Sequence, residues 1–363
     1  MLTNHLSEGK PSLGWHAFFE HQLKSIAADG NMTLARVVEA QREAFLVDDG
    51  RSERWCTLSG RLRHELLRPI DLPAVGDFVL VRATPGADTG QITRTLARRG
   101  AFMRKAPETG ALQIVAANID VAFVVSALNT DHNLRRIERY LAMVWESGAM
   151  PVVLLTKSDL CADLERSIAR VEAIAPGVTV LAASAVNQTG VEDVRHRIRP
   201  GMTAVLLGSS GSGKSTLVNA LLGRNAQAVQ QVSAHMDKGR HTTTARKLLH
   251  VPGAGMIIDT PGMKELQLTE ADAGVSQTFN DIEQLAAACR FSDCNHQSEP
   301  GCAIRVALEE GRLDRDRYKS YQKLQRESAY EARREDTNLA RLEKERWKKI
   351  HTANKRRPPK WMR

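Results

Sequence analysis

The chain has 363 residues, of which 42% are hydrophobic and 26% are charged, and its formal net charge is +9. This length suits two or three domains, and the hydrophobic content excludes a wholly disordered chain. No stretch approaches 18 uninterrupted apolar residues, and no charged-then-apolar signal region begins the sequence, so we expect a cytoplasmic protein without a membrane partner.

The N-terminal third contains an extension followed by short strand-like segments. Residues 1–35 show little periodicity and are interpreted as an extension that packs on another part of the chain or is partly mobile. Between residues 36 and 104, glycines separate five alternating segments: RVVEAQ, AFLVDD, RWCTLSG, DFVLVRA and GQITRTLAR. This pattern predicts a small β-barrel, most simply of the oligonucleotide-binding (OB) fold, with an SH3-like barrel as the alternative.

Residues 105–270 alternate apolar strands with amphipathic helices. Strands are predicted at 120–128, 150–156, 178–184, 202–208, 246–251 and 254–260, and helices near 134–146, 162–173, 190–198 and 214–222. This alternation predicts an α/β domain with a mostly parallel sheet, whose ligands bind at the C-terminal ends of the strands. Beyond it we expect a helical, cysteine-bearing domain at 271–325 and a basic helical tail at 326–363.

The segment GSSGSGKS, residues 208–215, matches the Walker A pattern and lies between an apolar strand and a helix. In such a loop, backbone N–H groups surround phosphate oxygens, Lys214 contacts the β and γ phosphates, and Ser215 binds Mg²⁺. DTPG at 259–262 ends a later strand, where Asp259 would hold Mg²⁺ through water and the Gly262 N–H would contact the γ phosphate. These motifs predict a nucleoside triphosphate with magnesium.

The segment TKSD, residues 156–159, predicts that the base is guanine. The Asp159 carboxylate can accept from both N1–H and the exocyclic amine of guanine, which adenine does not offer. Lys157 would lie along the base, and the Ser-Ala pair at 184–185 would donate a backbone N–H to guanine O6. Thr156 replaces the usual asparagine and loses the second contact of the amide, so we expect affinity to fall by ~1 kcal/mol.

Between these motifs, KGRHTTTARK at 238–247 offers a threonine to close over Mg²⁺ and the γ phosphate. Thr242, Thr243 and Thr244 all qualify, and Thr243 is our choice, although the run could instead only begin the next strand. Met263 occupies the position where many GTPases have a water-orienting glutamine. His241 is the best candidate in this chain for that role; the alternatives are that it packs or contacts RNA, and that RNA completes the site.

The motifs follow the order base loop, Ser-Ala pair, phosphate loop, threonines and DTPG, which is a circular permutation of the usual GTPase order. A doubly wound sheet tolerates this order because the site is assembled from the ends of its strands, and their order along the chain does not change where those ends lie.

The five cysteines do not predict a disulfide framework, since their number is odd and no export signal is present. Cys56 and Cys161 stand alone, whereas the remaining three form Cys-x4-Cys-x-His-x5-Cys within residues 289–302. Three thiolates and one imidazole complete a tetrahedral shell, so the pattern predicts one structural Zn²⁺. Unrelated buried cysteines are the alternative. The predicted ligands are Cys289, Cys294, His296 and Cys302.

The excess positive charge belongs to the C-terminal region, where residues 313–363 carry 17 Lys+Arg against 8 Asp+Glu. The last twenty residues also contain Trp347 and Trp361. Basic groups neutralise phosphates and indole rings stack on bases, which favours a nucleic-acid partner over a merely solvated helix.

Together these motifs resemble the circularly permuted, ribosome-associated GTPases of the RsgA family, also called YjeQ or YloQ, over residues 36–325. The resemblance implies a GTPase that acts in late maturation of the small ribosomal subunit, binds its rRNA near the decoding region, and couples subunit-stimulated GTP hydrolysis to release. We expect a monomer that binds GTP or GDP with Mg²⁺ and one structural Zn²⁺. The alternatives are a P-loop ATPase or kinase, and a GTP-binding RNA-binding protein without catalysis.

The expected GTP site comprises Thr156, Lys157, Ser158, Asp159, Ser184, Ala185, Gly208, Ser209, Ser210, Gly211, Ser212, Gly213, Lys214, Ser215, Thr216, Asp259 and Gly262. The expected magnesium ligands are Ser215, Thr243 and Asp259, and the expected catalytic residues are Lys214, His241 and Thr243.

Overall fold

The computed structural model describes residues 13–26, 32–84, 88–106, 110–129, 132–223, 246–259 and 272–332. The chain divides into two units, Met1–Gln267 and Leu268–Arg363. No helix among these described residues is long and apolar enough to cross a membrane.

Five strands of the first unit close into a barrel. They are β1 (Met32–Ala40), β2 (Phe45–Asp48), β3 (Glu53–Leu58), β4 (Phe78–Ala83) and β5 (Gly90–Thr95), with a short helix α2 (Gly60–Glu65) after β3. Their order is β1-β2-β3-β5-β4, and β4 pairs back onto β1. β3 and β5 run parallel while the other pairs are antiparallel. This closed five-stranded barrel confirms the predicted OB fold.

Part of the N-terminal extension packs on the barrel. Helix α1 (Ala17–Ser25) begins at His16, whose Nδ1 accepts from the Phe18 N–H at 3.1 Å. Phe19 and Leu23 of this helix are buried in a cluster with Leu34 and Phe78 of the barrel. The apolar face of α1 therefore covers barrel side chains that would otherwise meet water.

A hairpin that was not predicted follows the barrel. Strands β6 (Ala101–Lys105) and β7 (Leu112–Ala117) pair antiparallel as a separate two-stranded sheet. The barrel approaches this hairpin closely at Gly76, which has φ +96° and where a Cβ would lie 2.1 Å from the Ala117 carbonyl oxygen. The Ala117 N–H donates to the Val75 carbonyl at 2.9 Å, so backbone hydrogen bonds join the two parts.

The remainder of the first unit is the predicted α/β domain. Its strands are β8 (Val121–Ala127), β9 (Met150–Thr156), β10 (Thr179–Ala183), β11 (Thr203–Leu207), β12 (Lys247–His250) and β13 (Met256–Asp259). Its helices are α3 (Leu134–Ser147), α4 (Leu164–Glu172), α5 (Val191–Arg197) and α6 (Lys214–Leu222). The strand order is β10-β9-β8-β11-β13-β12, parallel except for the antiparallel edge strand β12.

The central strands are continuous apolar runs because helices cover both faces of a parallel sheet. All residues of β8 and of β11 are buried. A core cluster that includes Phe123, Leu154, Leu206 and Leu217 joins these strands to α6. This rigid core holds the loops that follow the strands.

The described part of the second unit is helical. It contains α7 (Asp272–Thr278), α8 (Asn280–Ala287), α9 (Ala303–Glu309) and a helix over residues 315–332. Arg317 of the last helix is buried and donates to both carboxylate oxygens of Asp281 at 2.9 and 2.6 Å. Its guanidinium also lies 4.8 Å from the centre of the Phe279 ring. A paired charge and an aromatic contact therefore fix this helix to α8.

Candidate nucleotide site and metal cluster

The predicted nucleotide loops converge because they follow neighbouring parallel strands. Thr156 at the end of β9 lies beside Ala183 at the end of β10. Leu207 at the end of β11 lies beside Val124 of β8, and Val205 lies beside Ile258 of β13. The C-terminal ends of β9, β10, β11 and β13 therefore lie at one edge of the sheet. β9 and β11 are two strands apart, or about 10 Å.

The phosphate loop has a backbone that only glycine can supply at several positions. Gly211 and Gly213 have φ of +77° and +88°, in the left-handed region that other residues avoid. A Cβ on Gly208 would lie 2.4 Å from the Val125 carbonyl oxygen. The loop then enters α6 at Lys214, so the N–H groups of the first turn point into the space that it encloses.

Lys214 is held inside this loop. Its Nζ donates to the carbonyl oxygens of Gly208 at 2.8 Å and Ser209 at 2.5 Å, and lies 3.3 Å from the Ser212 Oγ. Ser212 is buried, and its hydroxyl donates to the Ser209 carbonyl at 2.9 Å. The ammonium group is thus already positioned where the phosphate loop concentrates positive charge.

Thr156 joins the base loop to the phosphate loop. Its hydroxyl donates to the Ser212 carbonyl at 2.6 Å, across 56 residues of sequence. Both residues are buried, with exposed fractions of 5% and 1%. A hydroxyl has a single proton, so Thr156 donates to the phosphate loop rather than to the base. The sequence alone gave no signal for this contact.

The rest of the base loop faces outward. Lys157 has φ +56°, a left-handed conformation that turns the chain into a 3₁₀ turn at Ser158–Leu160. Asp159 lies in this turn and is exposed, whereas Lys157 and Ser158 are half-buried. The Asp159 carboxylate is therefore accessible to a ligand, as guanine recognition requires.

The Ser-Ala pair begins a tight turn after β10. The buried Ser184 donates its N–H to the Thr189 carbonyl at 2.9 Å, and its Oγ accepts from the Asn187 N–H at 3.2 Å. Gly190 closes the turn with φ +70°, and a Cβ there would lie 2.1 Å from the Ala182 carbonyl oxygen. These contacts hold the half-buried Ala185 at the same edge of the sheet as the base loop.

Asp259 ends β13 beside β11 and is half-buried. Burial raises the pKa of its carboxyl above the ordinary value, so its ionised form lacks part of the solvation that water provides. A divalent cation would restore that stabilisation, which fits the predicted magnesium role. His241, Thr243 and Gly262 lie outside the described residues, as does the tail beyond residue 332.

Two further polar residues accompany β8, the strand between β9 and β11. Ser126 Oγ lies 3.1 Å from His132 Nδ1. Burial, and then repulsion from Arg170, lower the pKa of His132, which favours a neutral ring. No sequence motif marked this pair.

The four predicted metal ligands form one cluster in the second unit. Their ligand atoms all lie within 4.8 Å of one another. The His296 Nδ1 is 3.5 Å from the sulfur atoms of Cys289 and Cys302, and these sulfur atoms are 3.9 Å apart. Metal–sulfur bonds of about 2.3 Å in a tetrahedron place ligand atoms about 3.8 Å apart. The cluster, completed by Cys294, can therefore hold a metal ion.

A glutamate shapes the loop that carries two of these ligands. The Glu299 carboxylate accepts from the backbone N–H groups of Asn295, Gln297 and Ser298, each at 2.9 Å. Its own backbone N–H, and then these N–H groups, lower the pKa of Glu299 to about 2. His296 within this loop has φ +58°. The carboxylate therefore supports the loop conformation that turns His296 toward the thiols.

Comparisons with known proteins agree with this geometry. The RsgA GTPase family model matches residues 95–269. The chain is 48% identical over 356 residues to the small ribosomal subunit biogenesis GTPase RsgA of Opitutus terrae, covering 95% of this chain and 97% of that protein. It is 43% identical over 337 residues to RsgA 1 of Oceanobacillus iheyensis, covering 92% and 96%.

Solved structures show the same fold. YjeQ of Thermotoga maritima superposes with a TM-score of 0.60 at 25% identity and covers 82% of this chain and 99% of its own. YloQ, described as a circularly permuted GTPase, also gives a TM-score of 0.60, at 24% identity, and covers 84% and 98%. At 24% identity the second match shows a shared fold alone.

Proposed function

Because the chain belongs to the RsgA GTPase family, we propose that this GTP hydrolase acts in late maturation of the small ribosomal subunit in the cytoplasm. It binds the subunit's rRNA, and the subunit stimulates GTP hydrolysis that is coupled to release. The observation that supports this most directly is the convergence of Thr156, Ser184, Lys214 and Asp259 at one sheet edge, in permuted order.

Each part of the site has a distinct role in this proposal. Asp159 reads the guanine edge, while Thr156 fixes the base loop to the phosphate loop. Lys214 and the N–H groups at the start of α6 bind the β and γ phosphates. Ser215 and Asp259 hold Mg²⁺, which supplies charge neutralisation between the phosphates when bound.

Water activation is assigned to the segment before β12. Thr243 would contact the γ phosphate and Mg²⁺, and His241 would orient the attacking water when the small subunit is bound. His241 is assigned this role because Met263 follows DTPG and can neither donate nor accept usefully. If RNA itself completes the site, His241→Ala will leave subunit-stimulated turnover unchanged.

Each function is assigned to one predicted domain. The barrel at 36–104 contacts RNA, residues 105–270 bind and hydrolyse GTP, and residues 271–325 hold one structural Zn²⁺. The extension at 1–35 and the basic tail at 326–363 flank them, and the tail adds sequence-independent RNA affinity. The donor set of Cys289, Cys294, His296 and Cys302 supports zinc over harder cations, because three thiolates and an imidazole are soft ligands.

Nucleotide displacement and subunit association test the proposal together. A labelled GTP analogue bound to the full chain should be displaced by GTP and not by ATP; equal displacement by ATP would favour the ATPase or kinase alternative. Co-sedimentation with small ribosomal subunits should be stronger with a non-hydrolysable GTP analogue than with GDP. Equal association in both nucleotide states would contradict coupling of hydrolysis to release.

A further inference from the structure

Two arginines lie together where the β6–β7 hairpin meets the α/β sheet. Arg104 belongs to β6, and Arg246 immediately precedes β12. Both are half-buried. The Nη1 of Arg246 donates to the Ile114 carbonyl of β7 at 3.4 Å, which brings the second arginine onto the hairpin.

Neither arginine has an acidic partner among the residues that the structure describes. The Nε of Arg104 is buried and has no hydrogen-bond partner within the described part of the chain. Glu39 of β1 lies opposite Lys247 and pairs with that lysine at 2.9 Å. Successive side chains of a strand point to opposite faces, so this ion pair lies on the other side of β12 from Arg246.

Such a pair of like charges is unfavourable in isolation. Burial, and then repulsion from Arg104, lower the pKa of Arg246 to about 10. A guanidinium that loses solvation without gaining a carboxylate destabilises the folded state. An anion bound between the two groups would relieve both the repulsion and the unsatisfied donor.

We propose that Arg104 and Arg246 form a phosphate site that takes one backbone phosphate of RNA. Two planar guanidinium groups match phosphate oxygens with paired N–H donors. The site has only side-chain donors, and both arginines are half-buried rather than fully enclosed, so it holds a free phosphate ion weakly. A phosphate already carried on a bound RNA arrives at high effective concentration. The inference rests on the proposed RNA binding.

The proposed phosphate site lies between the hairpin and the nucleotide-binding sheet. The hairpin follows the barrel, and Arg246 leads into β12, which pairs with β13, the strand that ends at Asp259. A phosphate bound by both arginines therefore joins the hairpin to the edge of the nucleotide-binding sheet. RNA would strengthen a junction that the protein alone leaves electrostatically strained.

Salt-dependent RNA binding tests the proposal. The full chain and the variants Arg104→Gln, Arg246→Gln and the double variant are titrated with a labelled A-form RNA hairpin between 50 and 200 mM KCl. The double variant should bind about tenfold more weakly at 100 mM KCl, and the slope of log K against log salt should fall by about one. Arg166→Gln, an exposed arginine on α4, should match the wild type. An unchanged slope in the double variant overturns the proposal.

Thermal unfolding without RNA separates this role from a structural one. Removing one of two repelling charges should leave the melting temperature of Arg104→Gln unchanged or raised, whereas loss of a structural arginine lowers it. A lowered melting temperature in both single variants would therefore contradict the phosphate site.

Inorganic phosphate, compared with chloride at equal ionic strength, distinguishes the source of the anion. A phosphate-dependent rise in melting temperature that the double variant loses, together with unchanged RNA binding, would assign the site to small phosphates and overturn the RNA assignment. Absence of subunit-stimulated GTP hydrolysis in the wild type would count against the proposed function and leave the RNA titration interpretable.

Discussion

Replacement of Thr156 by valine should weaken nucleotide binding although neither shape nor charge changes. Valine keeps the volume of threonine but removes the hydroxyl that donates to the Ser212 carbonyl at 2.6 Å. Both residues are almost fully buried, so water cannot replace the lost donor. A buried carbonyl left without its partner costs about 1–3 kcal/mol.

This free energy affects nucleotide affinity as well as stability. Without the hydrogen bond, the phosphate loop no longer has its anchor on β9, and the nucleotide must order the loop as it binds. If the free energy of GDP binding is about 1.4 kcal/mol less favourable than in the wild type, the Kd for GDP rises about tenfold. The unfolding free energy without nucleotide should fall by about 1–2 kcal/mol.

Titration of a fluorescent GDP analogue and denaturant unfolding of the same samples measure the two effects. Thr156→Ser retains the hydroxyl and is the matched control, which should bind GDP within about twofold of the wild type because the donor is kept. Equal GDP affinity of the valine, serine and wild-type proteins would refute the argument that Thr156 positions the phosphate loop.

Further predictions concern the base, the buried carboxylate and the metal cluster. Asp159→Asn should shift preference from guanine to xanthine nucleotides in a competition titration, because the amide offers the donor that a 2-oxo group requires; retained GTP preference would exclude this base contact. Asp259→Asn should abolish Mg²⁺-dependent tightening of GTP binding yet raise the melting temperature of the nucleotide-free protein. Burial raises the pKa of Asp259, so its ionised form destabilises the wild type. The unfolding free energy of the wild type should therefore rise as pH falls through this raised pKa. An equal rise in the variant over the same pH series would contradict this. Cys294→Ser should release the bound Zn²⁺ and reduce order around the cluster, measured by metal analysis and hydrogen exchange. A metal content equal to that of the wild type would contradict the role of Cys294 as a ligand. Glu299→Gln should weaken Zn²⁺ binding about tenfold in chelator competition, because an uncharged amide supports the loop's N–H groups less well; an unchanged release rate would show that the carboxylate does not position His296.

The predicted secondary structure of the α/β domain agrees with the structure to within one or two residues at most boundaries. The strand predicted at 150–156 and the helix at 214–222 match Met150–Thr156 and Lys214–Leu222. Buried parallel strands and amphipathic helices impose strong, different periodicities on a sequence, and this is why composition and spacing locate them. The motifs then fixed which strand ends would meet.

Interactions between distant segments could not be predicted in this way. The hydrogen bond from Thr156 to Ser212 depends on a register that no local pattern specifies. The hairpin at 101–117 was missed because β6 mixes apolar with basic residues, Arg104 and Lys105, and is mostly half-buried. Arg36 shows the same limit: it sits in β1, is buried, and donates to Leu13, Gly76 and Thr203.

Subunit-stimulated GTP hydrolysis is tested by the turnover of GTP by the full chain, measured with and without purified small ribosomal subunits. We expect slow hydrolysis by the isolated protein and a large stimulation by subunits, abolished in both conditions by Lys214→Ala with the fold intact. A wild-type protein that binds GTP but hydrolyses it in neither condition would contradict the proposed function and would be a nucleotide-binding protein without catalysis.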